Sequence, residues 1–348
     1  MMKKYFLLLL PLLLAAEPAP KPEASRVSLD AQAMPLAEAA ASIARQANIP
    51  IDTERAAKDR PVRLKLANAL FWDALDQLAR AANQRLVIGG QGKRIAFSKE
   101  PYRAAPVFAT GPFRFAVRET RGRLDLESGV SRTDVFVDFA WEPKFKGFYV
   151  ELDPKSLTAK DDQGKPLAIQ DEGANRIPVS ESGFDLQVKL RDVPRSAKKI
   201  AELNGAVKML GTSQLLQFAF DPATPGNRTV KRGEVNATLK VFRKNVRLWI
   251  VGIDLQYPKD MPELESFQSF LLDNEIWLLS PDGRKFRTRK FELGFEQQGK
   301  VPITVYFQEN DKEGPVLSNL AGWKLMLRVP GRIVEERVSF QLRDIPLP

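Results

Sequence analysis

Pro35–Ile51 reads PLAEAAASIARQANIPI and Phe71–Leu86 reads FWDALDQLARAANQRL. These are two versions of one pattern. Leu29, Leu36, Glu38, Ala39, Ile43, Ala44, Arg45, Ala47, Asn48 and Ile51 recur thirty-five positions later as Leu64, Phe71, Asp73, Ala74, Leu78, Ala79, Arg80, Ala82, Asn83 and Leu86. In each copy the apolar side chains recur at helical spacing, Leu36, Ala39, Ala40, Ile43, Ala44 and Ala47 and then Phe71, Ala74, Leu75, Leu78, Ala79 and Ala82. A stripe of that period predicts a helix with one buried face. Pro35 stands where a first helical turn tolerates proline, and Asn48 and Asn83 stand where a helix ends on a left-handed residue. β-formers precede each helix, Val27–Leu29 (VSL) and Val62–Leu66 (VRLKL), and Arg85–Ile88 and Arg94–Phe97 flank the glycine-rich turn Gly89-Gly90-Gln91-Gly92 as a hairpin. The expectation for residues 26–98 is therefore an α+β module of two helices with small β-sheets, made by copying a strand-helix-strand unit.

Upstream of it, residues 1–16 follow the order of an export signal: Lys3 and Lys4, the apolar run Tyr5–Leu14, then Ala15 and Ala16. The run is too short for a membrane span, and no later stretch is long enough for a spanning helix. Residues 17–25, opening EPAPKPEA, read as a proline-rich solvated tether. This implies a periplasmic or secreted chain. Without cysteine there is nothing to acylate as a lipoprotein and no disulfide, so each domain is expected to hold itself together by burial.

The strand VSL, the stretch Pro35–Ile51, the strand VRLKL, the helix FWDALDQLARAAN and the final hairpin together resemble the short N-terminal (STN) domain of secretins and TonB-dependent receptors. In that family the module is a periplasmic docking domain without catalytic residues. The resemblance thus implies a location and a protein partner in the envelope. Docking by strand addition needs only an exposed sheet edge, and the edge candidates are Val27, Leu29, Val62, Leu64 and Leu66. The resemblance stops near Ser98. From Gly111 onward the strands carry charge too often for a lipid-facing barrel wall, so channel and receptor functions do not carry over.

The rest of the chain shows a second duplication. Leu203, Gly205, Met209 and Leu210 match Leu320, Gly322, Met326 and Leu327, and Leu216, Phe218 and Phe220 match Val338, Phe340 and Leu342. Asp161–Lys165 and Ser280–Arg284 match as tight turns, and the apolar strands Val135–Trp141 and Leu248–Tyr257 each run into a proline. Short alternating strands with frequent turn residues predict two all-β sandwiches, residues 111–222 and 233–348, joined by a polar linker at 223–232.

The chain has no histidine, which removes Ser-His-Asp and Cys-His nucleophile systems and imidazole metal sites together. Its formal charge of +10 bears on solubility and long-range attraction, and permits an acidic partner without requiring one. The densest basic run is Arg284–Lys290; on a strand, Lys285, Arg287 and Arg289 share one face, a stripe suited to lipopolysaccharide or an anionic glycan, or else an ordinary solvated face or a charge-protected sheet edge. Export and the lack of a recognition motif argue against nucleic acid. Of five tryptophans, Trp72, Trp141, Trp249 and Trp277 read as core or near-core, leaving Trp323 and the aromatic Tyr257 as candidate sugar platforms. The nearest carboxylate pairs are Asp138 with Glu142, about 13 Å apart on one strand, and Glu263 with Glu265 in a polar loop; neither suits glycoside cleavage. Asp161, Asp162, Asp171 and Glu172 lack the EF-hand spacing. The sequence thus predicts no catalytic residue, metal or cofactor. It points to an exported interaction protein, with a polyanion binder as the alternative.

Overall fold

The computed structural model describes residues 22–89, 94–179, 182–259, 275–288, 290–294, 299–309, 315 and 319–348. The proposed signal and most of the tether lie outside these residues, as do Glu263, Glu265 and Arg289. The fold is mainly β, arranged in several sheets with two helices. No helix among the described residues is long and apolar enough to cross a membrane.

The chain begins with β1 (Arg26–Pro35), α1 (Leu36–Ala47), β2 (Ile51–Asp52), β3 (Pro61–Leu70), α2 (Phe71–Ala82), β4 (Arg85–Gly89) and β5 (Arg94–Ser98). β1 pairs with β3 antiparallel, and β2, β5 and β4 form a second small sheet. The helices bury the stripes read from the sequence except Ala44, which is half-buried, with Leu36, Ala39 and Ile43 on α1 and Phe71, Ala74, Leu75 and Leu78 on α2 fully enclosed. Both end on a left-handed asparagine, Asn48 (φ 54°) and Asn83 (φ 45°), whose N–H returns to the carbonyls of the last turn. The β1–β3 ladder slips twice, beside Ala33 (φ 62°) and Asn68 (φ 51°). These two residues are again thirty-five positions apart, so the kink recurs at the spacing of the two helices.

This N-terminal region is clamped to the strands that follow. Trp72 Nε1 donates to the Pro112 carbonyl at 2.8 Å. Arg114 grips Asp76 with two bonds of 2.9 and 2.8 Å, its side chain only 10% exposed. Glu142, fully buried, accepts from the N–H and hydroxyl of Ser25 and pairs with Lys144 at 3.1 Å. Removing one member of such a pair strands a charge in low dielectric, at a cost of about 3–5 kcal/mol.

Next come β6 (Val107–Thr110), β7 (Phe113–Leu124), β8 (Ser131–Trp141), β9 (Lys146–Leu152), β10 (Thr158–Asp161), β11 (Pro166–Ile169), β12 (Asn175–Pro178), β13 (Gly183–Arg191), β14 (Lys199–Thr212) and β15 (Leu215–Phe220). They are followed by β16 (Arg228–Arg232), β17 (Val235–Asn245), β18 (Leu248–Gln256), β19 (Glu275–Leu279), β20 (Lys285–Arg287), β21 (Phe291–Leu293), β22 (Lys300–Gln308), β23 (Lys324–Pro330) and β24 (Val334–Pro346). The order β6-β7-β8-β13 in the first group is matched by β16-β17-β18-β22 in the second, and β11-β10-β14-β24 by β20-β19-β23-β15. The two tight turns are built alike. Asp161 N–H bonds the Lys165 carbonyl (2.9 Å) and Ser280 N–H the Arg284 carbonyl (3.0 Å), with Gly164 and Gly283 at φ 77° and 86°.

The division at 223–232 does not separate the two cores. β16 lies inside that stretch and pairs with β17. Moreover, the last strand before it and the last strand of the chain each join the opposite sheet. β24 pairs with β14 from Lys199↔Pro346 to Gly211↔Val334, and its Phe340 stacks 4.7 Å from Phe115 in the first core. β15 pairs with β23 from Leu215↔Pro330 to Phe220↔Leu325, and Leu216, Phe218 and Phe220 fill the second core. Between the two ladders Gly331 N–H donates to the Gln214 carbonyl at 2.8 Å, and Thr212 Oγ1 to the Arg332 carbonyl at 2.9 Å. One antiparallel register therefore runs from one core into the other. The Ser213–Gln214 joint keeps the chain extended instead of folding it back as a hairpin, so local sequence similarity did not reveal where the strand goes. The glycine match also differs: Gly205 lies inside β14, whereas Gly322 (φ 79°) is in the turn before β23.

Candidate functional site

Ser28 decides what the β1–β3 pair offers to a partner. Its N–H donates to Gln46 Oε1 at 2.9 Å, and its carbonyl accepts from Gln46 Nε2 at 2.8 Å, so an α1 side chain occupies the outer edge of β1 there. In an antiparallel ladder successive residues turn their backbone groups alternately toward and away from the partner strand. With Ser28 facing outward, Leu29 and Ala31 face β3, where they oppose Leu66 and Leu64. Asp30 and Gln32 then face out on β1, and their opposite numbers Lys65 and Arg63 face out on β3. The residue corresponding to Gln46 in the second copy is Ala81, which has no amide to place there. Among the described residues no strand pairs with the outer edge of β3.

The candidate edge residues thus divide by role. Val27, Leu29, Val62 and Leu66 are buried in the core under the helices, and Leu64 is half-buried against it. They hold the strand in place. The groups presented to a visitor are the backbone of Arg63 and Lys65 and their exposed side chains. Reading β-formers identified the strand. Its accessible residues follow only from the pairing register.

Part of the basic run, Lys285–Arg287, forms an edge strand. β20 is the outermost strand of β15-β23-β19-β20, with Lys285 and Arg287 exposed and Phe286 turned inward against Trp323, ring centroids 5.6 Å apart. Lys285 Nζ lies 5.6 Å and Arg328 Cζ 6.0 Å from the centre of the Trp277 ring, and Arg287 and Arg328 share Glu275 at 3.6 and 3.3 Å.

Trp323 and Tyr257 are not surface platforms. Trp323 is 8% exposed within the second core, and Tyr257 is enclosed, its hydroxyl donating to the Pro330 carbonyl at 3.2 Å. Burial pushes the Tyr257 phenol well above its ordinary range. Each sits where the core needs volume.

The acids are also rearranged. Glu142 is the structural anchor of Ser25 and stands apart from Asp138 in role. Asp138 instead faces Asp185 across β8 and β13, with Arg118 Nη1 at 3.4 and 3.0 Å from the two carboxylates. Burial first, and Asp185 beside it, raise the Asp138 carboxyl, with Arg118 pulling the other way. Sequence spacing carried no sign of this cross-strand pair. Asp161 spends its side chain on the N–H groups of Gln163 and Lys165 at 2.9 and 2.8 Å, and among the described residues no acidic cluster has metal-binding geometry.

No family model, curated protein or solved structure matches this chain.

Proposed function

We propose that this chain is an exported, non-catalytic interaction protein of the cell envelope, which docks a partner protein by strand addition to the outer edge of β3. On this reading residues 1–16 are a cleaved signal, the protein is periplasmic or secreted, and residues 26–98 are an STN-like docking module. The two sandwiches descend from one duplicated unit and act as scaffold. Their matching strand orders and turns support the duplication, and the recurring kink at Ala33 and Asn68 supports the smaller one. The observation that carries the docking reading is the asymmetry between the two edges: Gln46 occupies the edge of β1 at Ser28, while among the described residues nothing occupies the edge of β3 beside Arg63 and Lys65. Edge pairing supplies backbone hydrogen bonds, and the two cations select an acidic incoming strand.

A photoreactive residue placed at Lys65 in the full-length exported chain tests this. The expected result is one dominant adduct, mapping to an extended acidic segment, that is absent when the photoreactive residue stands at Ser28 and lost on Arg63→Pro. That proline removes an outward N–H while sparing the β1 ladder. Adducts indifferent to Arg63→Pro would sink the reading.

A second reading is an acidic-polysaccharide binder on the outer face around Trp277. There Arg287 and Arg328 pair with the carboxylate of Glu275 at one end of the Trp277 ring, and Lys285 and Lys324 stand opposite Leu279 at the other. It requires binding that weakens with salt and with charge reversal at Arg287 and Arg289.

A further inference from the structure

β13 and β22 occupy the same place in their sheets, each paired on one side with the long strand before it: β13 with β8, β22 with β18. Leu186 opposes Val137 as Ile303 opposes Ile253, and Val188 opposes Val135 as Val305 opposes Val251. Their other sides differ. On β22 the backbone of β21 is seated, Phe291 opposite Val305 and Leu293 opposite Ile303, extended at either end by Tyr306 N–H to the Lys290 carbonyl (3.0 Å) and Gly294 N–H to the Pro302 carbonyl (2.9 Å). On β13 the neighbour β11 pairs only at Leu190 and Arg191. Gln170 N–H adds one bond to the Lys189 carbonyl at 2.8 Å, and the chain then leaves the edge at Asp171. By alternation Gln187 and Asp185, like Lys189, turn their N–H and C=O toward the vacated side.

The vacated side opens on a cleft of about 460 Å³, within the roughly 300–1,000 Å³ span of ligand sites. Leu157, Ile169, Ile177, Phe184 and Leu186 line its interior, and Gln170 Oε1 is buried in its wall without a hydrogen-bond partner among the described residues. At the end where Asp185 stands, two carboxylates, Asp185 and Asp138, share the single guanidinium of Arg118.

We infer that this slot is a second docking site, which takes an extended segment of a partner protein as an added strand on β13. The second sandwich shows the geometry of an occupant: a short strand antiparallel to the edge. Residues opposite Val188 and Leu186 lie on the core-facing side of the pair and enter the cleft, so they are apolar. The residue opposite Asp185 meets excess negative charge and is Lys or Arg.

The probe is a fluorescein-labelled hexapeptide, Gly-Phe-Glu-Leu-Lys-Phe, titrated into the full-length exported chain and read by anisotropy. The expected result is saturable binding, lost when the Phe and Leu at the second and fourth positions become serine, and at least fivefold weaker with Gln187→Pro, which deletes a slot-facing N–H. Asp185→Lys is expected to weaken the lysine peptide and to strengthen binding of a peptide with Asp in place of that lysine, an exchange that damage to the fold does not mimic. Absence of saturable binding, indifference to both slot substitutions, or loss of binding on Arg63→Pro instead, which would place the peptide on β3, each overturns the inference.

Discussion

Asp138 concentrates the conflict that single residues carry in this fold. Cross-strand carboxylates destabilise a ladder by roughly 0.2–1 kcal/mol, and here one of the two is also drawn into the sheet surface. A carboxyl raised in the folded state binds its proton more tightly there than in the unfolded chain. Its cost to stability is therefore absent below the ordinary carboxylate range and develops as pH rises through the raised value. Asp138→Asn, which leaves Arg118 on Asp185, is expected to stabilise the protein by about 0.5–1 kcal/mol at pH 7 and by almost nothing at pH 3. Urea unfolding at the two pH values checks it, and a gain of equal size at both would refute this account.

At the scale of the element, an edge strand invites association unless something blocks it. Gln46 does so at the Ser28 end of β1 with two hydrogen bonds, while exposed Arg63 and Lys65 moderate β3 through charge. Gln46→Ala is expected to leave the melting temperature almost unchanged, since the site is exposed, and to raise self-association, measured by sedimentation at increasing protein concentration. The β14 strand is governed by space instead. A Cβ on Gly205 would stand 2.5 Å from Leu157 Cδ2 and 2.7 Å from the Phe340 ring. Gly205→Ala is therefore expected to lower stability by about 1–3 kcal/mol, loosening the grip of β24; hydrogen exchange along β24 would report it.

The whole molecule is tied by the two long strands that pass from one core to the other. Each core holds a strand supplied from the far side of the 223–232 stretch, so neither is complete without the other. Deleting residues 331–348 removes Phe340, Leu342 and Ile345 from the first core, although that core begins two hundred residues upstream. The deletion is expected to expose β7 and β8 amides to exchange. In the intact chain, calorimetry is expected to show both sandwiches unfolding in one transition. Two resolved transitions, one per sandwich, would contradict the coupling.

Local chemistry was legible in the order of residues. The helical stripes at Leu36–Ala47 and Phe71–Ala82, the asparagine caps, the alternating strands and the turns at Asp161 and Ser280 each depend on neighbours within a few positions, where side-chain period and backbone preference act directly. Partner choice was not legible. Whether β15 folds back on β14 or crosses to β23, whether Gln46 plugs an edge, and whether Asp138 meets Glu142 or Asp185 are set by contacts between segments far apart in the chain. A β-strand carries the same alternation whichever strand it joins, so only the packed molecule selects among them.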